Sequence, residues 1–95
     1  MRITKKHLEA KVWIINSMLG FERVDYDTVG AVRLYCAYGG YGVHRVVNTA
    51  GGVDDLLPIG TGKEASAFLS GMIAALRIAQ DDTDNAYWAI RGVTE

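Results

Sequence analysis

Apolar positions change their period along the chain, and each change predicts a new element. Leu8, Val12, Ile15 and Leu19 recur at spacings of four, three and four, one stripe of a helix over Lys5 to Leu19. Thr4 is placed to cap its first turn, and Gly20 suits the left-handed residue that closes a helix. Phe21 to Gly30 is polar and reads as a loop or short edge strand. From Ala31 to Asn48 the pattern alternates around Gly39-Gly40, as in two strands of a hairpin. A turn on those glycines pairs Tyr38 with Tyr41, Cys36 with Val43, Leu34 with Arg45 and Val32 with Val47. That arrangement turns one mainly apolar face toward the helices. The other face carries Arg33, Tyr35, Gly42, His44, Val46 and Asn48.

A third strand is predicted over Val53 to Ile59 after the turn at Asn48 to Gly52. Pro58 lacks an amide hydrogen, so that strand must be at an edge or end there. Thr61 and Glu64 form a capping box that opens a second helix, running to about Gln80. Ala65, Phe68, Leu69, Met72, Ile73 and Leu76 make its apolar face, and Gly71 interrupts its small-residue side. A glycine costs about 1 kcal/mol relative to alanine inside a helix, so close packing at Gly71 is expected. The expected fold is α+β, ordered α-β-β-β-α, a small antiparallel sheet packed against helices with a C-terminal extension. Residues 1–80 form one domain. Residues 81–95 form an acidic linker, Asp81 to Asn85, and an apolar extension containing Tyr87 and Trp88.

Composition adds an interface to this picture. The chain has 95 residues and is 49% hydrophobic, more apolar surface than so small an interior readily hides. A homo-oligomer is therefore expected, with Trp13, Gly71, Tyr87 and Trp88 as interface candidates. A net charge of −1 supplies no field for generic nucleic-acid binding. No apolar run approaches the ~20 residues that span a bilayer, and Glu9 and Lys11 interrupt any signal-peptide core. A cytoplasmic protein is expected.

Catalytic candidates are few. Cys36 is the only cysteine, which excludes an internal disulfide and a cysteine-based zinc site. Alternation puts Cys36 on the apolar face and His44 on the other, so the two do not form a nucleophile–base pair. His7 and His44 come from separate elements, and no metal site or cofactor is expected. Asp54 and Asp55 point to opposite faces. Gly39 to Gly42 and Gly60 to Lys63 match no phosphate-loop fingerprint and read as turns. The strongest feature is a binding set on one hairpin. Tyr35, Tyr38 and Tyr41 offer flat faces for stacking, Arg33 and Arg45 can pair with phosphate, and His44 and Asn48 can read polar edges.

Several segments, in order, resemble a group of short phage and prophage accessory proteins of uncharacterised function. They are Ile3-Thr4-Lys5-Lys6-x-Leu8-Glu9, Asn16-x-x-Leu19-Gly20, Ala37 to Tyr41, Arg45-Val46-Val47-Asn48-x-x-Gly51-Gly52-Val53 and Gly71 to Leu76. The resemblance covers residues 3 to about 78 and carries over no catalytic residue. By association it implies a non-enzymatic protein that antagonises host defence by binding, with a small nucleotide-like signalling molecule as the ligand to sequester. The alternative is a protein–protein inhibitor or scaffold that docks on a host or phage protein through its sheet edge or C-terminal tail; either role places the protein in the host cell cytosol. An unrecognised small hydrolase would have to use Cys36 or His44.

Overall fold

The computed structural model describes residues 3–94, with side chains described through residue 81. The order is α1 (Lys5–Met18), β1 (Val32–Ala37), β2 (Gly40–Val46), β3 (Val53–Gly60) and α2 (Gly62–Thr94), the expected α-β-β-β-α. Thr4 caps α1, its hydroxyl accepting the His7 amide at 3.3 Å. At the other end Gly20 has φ +92°, with Gly20 N–H donating to Ser17 O and Phe21 N–H to Asn16 O. These two bonds are a Schellman closure, which only a residue tolerant of positive φ completes cheaply. The capping box opens α2 as expected: Glu64 N–H donates to Thr61 Oγ1 at 3.1 Å, and Thr61 N–H to Glu64 Oε1 at 3.4 Å.

The three strands form one antiparallel sheet in the order β1-β2-β3, so Pro58 does lie on an edge strand. Both helices pack on one face of it. Leu8, Val12 and Ile15 of α1 and Ala65 and Leu69 of α2 enclose Val32 and Val43 in a single core. Small residues on α2 let the helices approach, and Lys11 Nζ donates to Ser66 Oγ at 3.1 Å and also to Ser70 Oγ. No helix among the described residues lies over the opposite face of the sheet.

The hairpin register is shifted from the expected one. Val32 pairs with Arg45, Leu34 with Val43 and Cys36 with Tyr41, so the two-residue turn is Tyr38-Gly39. Their φ angles, +52° and +74°, are those of a type I′ turn, which matches strand twist. A slip of two residues keeps every side chain on its own face, and alternation therefore does not distinguish the registers. Cys36 shares the helix-side face, as alternation predicts, but lies near the hairpin tip and is exposed.

Two register shifts between β2 and β3 let both Leu56 and Leu57 pack against the core. They also bring β3 across the glycines of β2. A Cβ on Gly40 would lie 2.7 Å from Ile59 Cγ2 and 2.8 Å from Gly60 O. Ile59 thus occupies space that a side chain at Gly40 would fill.

The largest departure is at the C-terminus. The acidic stretch Asp81 to Asn85, expected as a linker, is part of α2, which continues to Thr94 as one 33-residue helix. Aspartate, threonine and asparagine each cost only about 0.5 kcal/mol in a helix, and no proline or glycine stops the chain here. The side chains of Tyr87 and Trp88 lie outside those described.

Candidate functional site

The sheet face away from the helices, on which Ala31 and Val46 are nonetheless buried, carries a row of three functional groups, one from each strand. Arg33 on β1 pairs with His44 on β2, and His44 pairs with Asp55 on β3. Directly opposed residues sit about 5 Å apart, so the row spans about 10 Å from guanidinium strand to carboxylate strand. His44 Nε2 lies 2.7 Å from Asp55 Oδ1, a hydrogen bond that fixes the imidazole. Tyr35, one step along β1, stacks on His44 with ring centroids 4.6 Å apart and planes 19° from parallel. Gly42 stands opposite Tyr35 and has no side chain to block that lean.

The imidazole is largely covered, with 16% of the His44 side chain exposed, whereas Asp55 and Arg33 are open to solvent. Arg33 makes no hydrogen bond or ion pair with any described residue. A groove of about 340 Å³ lies at the Arg33–His44 end of this row, lined by Arg33, Leu34, Tyr35, His44, Gly51 and Val53, with Asp55 outside its lining. One end is bounded by the Asn48–Gly52 turn. Tyr26 leans on that turn, for a Cβ on Gly51 would come within 3.1 Å of its ring.

Of the expected binding set, the structure brings together Arg33, Tyr35 and His44. Tyr38 is at the hairpin turn and 97% exposed. Tyr41 is half-buried on the helix face, packed against the core. Arg45 also belongs to that face, and its Nε donates to Gly30 O at 3.2 Å. Asn48 spends its side-chain oxygen on the turn, accepting from Ala50 N–H at 3.0 Å and Gly52 N–H at 2.9 Å. Those four do not converge on the groove. Among the interface candidates, Trp13 is exposed. Gly71 is exposed as well, with open space where a Cβ would be.

Asp55 is the site residue that sequence reasoning passed over. Asp54 and Asp55 do diverge, as alternation predicts, but the useful partner of Asp55 is His44 and not its neighbour. The signal was available in the strand pairing, which the two shifts between β2 and β3 obscured.

The row can hold an anion at Arg33, offer a flat shelf at Tyr35 and His44, and accept a hydrogen bond at the free Asp55 oxygen. The His44–Asp55 pair also resembles an oriented base. Its candidate nucleophile Cys36 is on the other face, so the structure does not bring the two together. Among the described residues no group of three or more histidine, cysteine or acidic side chains could hold a metal ion. No described helix is long and apolar enough to cross a membrane. The chain matches no protein-family model, no curated protein and no solved structure.

Proposed function

We propose that this chain is a binding protein whose ligand lies on the open sheet face, and that the ligand is a nucleotide-like molecule. The observation that carries this reading is the cross-strand row Arg33–His44–Asp55 with Tyr35 stacked beside it. A phosphate pairs with the unpartnered Arg33, a planar base lies on the Tyr35–His44 shelf, and an amino group of the base donates to Asp55. The roughly 10 Å between the ends of the row suits a phosphate and a base edge of one nucleotide. With the resemblance to phage accessory proteins, the biological reading is sequestration of a host signalling nucleotide, which antagonises host defence without turnover.

Thermal unfolding against a panel of mono-, di- and cyclic nucleotides tests this. A ligand that binds only the folded chain adds about 2.7 kcal/mol at a hundredfold excess over Kd. At roughly 4–8 °C per kcal/mol for a domain of this size, Tm rises by about 10–20 °C. Arg33→Ala and Tyr35→Ala are expected to abolish the rise, and Arg33→Ala, at an exposed and unpartnered side chain, to do so with an unliganded Tm near that of the parent. A rise that survives both substitutions, or none with any nucleotide, contradicts the reading.

A further inference from the structure

The two edges of the sheet are unlike each other. The β3 edge is defended against further pairing by Pro58, by two register shifts and by the adjacent carboxylates of Asp54 and Asp55. The β1 edge, Val32–Ala37, contains no proline or glycine, and Arg33 is its only charge. Asn16 closes the start of that edge. Its amide donates to Val32 O at 2.9 Å and accepts from Val32 N–H at 2.8 Å, as a neighbouring strand would. The outward groups of β1 therefore belong to even-numbered residues. Beyond Val32 they are the N–H and C=O of Leu34 and Cys36, and no described element pairs with them.

We propose that a second copy of this chain pairs antiparallel along this stretch, about a two-fold axis through Tyr35, joining the two sheets into six strands. The inference stands apart from the ligand reading, since it rests on backbone groups. Outward residues must oppose outward residues, and with the axis at Tyr35 Leu34 of each copy faces Cys36 of the other. Four backbone hydrogen bonds form. The next pair on either side would be Val32 with Tyr38, where Asn16 has already satisfied the edge and the hairpin turn begins. The run of pairing is thus as long as the free edge and no longer.

Charge and exposure favour a second copy as the occupant. In this register Arg33 faces Ala37, and no like charges are opposed. Trp13 lies three residues before Asn16, on the neighbouring part of the α1 surface, and is 69% exposed. The two-fold brings the hairpin turn of the second copy, with Tyr38, to that same stretch of edge. The two most exposed large aromatic side chains of the described chain thereby gain an apolar neighbour.

Residues opposed across the axis lie about 4.5 Å apart at Cα, within disulfide range. Tyr35→Cys in a Cys36→Ala background is therefore expected to give a disulfide-linked dimer under mild oxidation, at twice the 10.4 kDa chain mass. Arg33→Cys in the same background, about 13 Å along the strand from its own symmetry mate, is expected to stay unlinked. Light scattering is expected to show a dimeric parent, and a monomeric Tyr35→Lys variant with unchanged far-UV circular dichroism. A monomeric parent overturns the proposal. So does a dimer that resists both the cross-link and the lysine.

Discussion

Replacing Asn16 by alanine is predicted to be among the most damaging single changes in this protein. Asn16 is 5% exposed and is the only buried polar side chain among the described residues. Its amide serves both backbone groups of Val32, which is itself 1% exposed. Alanine removes both bonds and leaves a buried donor and a buried acceptor unpartnered, each costing about 1–3 kcal/mol. Water reaching the vacated edge recovers part of that, so a net loss of about 2–4 kcal/mol is expected. Total stability for 95 residues is about 5–14 kcal/mol, so the loss is a substantial share of it. The melting temperature should fall by about 10–25 °C. Urea unfolding followed by circular dichroism measures the loss directly, and hydrogen exchange should show the Val32 amide losing protection. Asn16→Leu, which fills the space without restoring either bond, should lose nearly as much. If Asn16→Ala stays within about 0.5 kcal/mol of the parent with Val32 still protected, the edge-closing role is refuted.

Two further substitutions probe the packing. Gly40→Ala places a methyl group against Ile59 and the Gly60 carbonyl, so it should cost about 1–3 kcal/mol in the same urea experiment. A neutral result would mean that β3 does not cross β2 as closely as described. Gly71→Ala enters open space on the exposed side of α2, so helix propensity alone applies and stability should rise by about 0.5–1 kcal/mol. Destabilisation there would instead reveal a close contact with another chain.

Much of this architecture is legible in the residues themselves. The Thr4 cap, the Thr61–Glu64 box and the apolar stripes of both helices are local signals, written within one or two turns. Pro58 correctly marks an edge because its missing amide is a property of one residue. The features that escape are relations between distant segments. No periodicity of α1 announces that Asn16 will serve as a strand partner for Val32, sixteen residues on. The hairpin slip is invisible to alternation because it preserves both faces. Cys36 follows its face correctly, but burial also depends on how far the helices reach along the strand. The site shows the same division: Arg33, Tyr35 and His44 follow from one hairpin, whereas Asp55 enters through a third strand whose register the bulges reset. The acidic stretch after Gln80 reads as a linker by composition, yet it contains nothing that breaks a helix.

If the sheet face away from the helices holds a small ligand, some of it should travel with the purified protein. Native mass spectrometry of the chain purified from cells, before and after denaturation, tests this most directly, with Arg33→Ala and Tyr35→Ala purified alongside. The parent is expected to carry a nucleotide-sized mass and release it on denaturation, and both variants are expected to lack it. A parent that carries no such mass, and gains none when incubated with the nucleotide panel, would contradict the ligand reading.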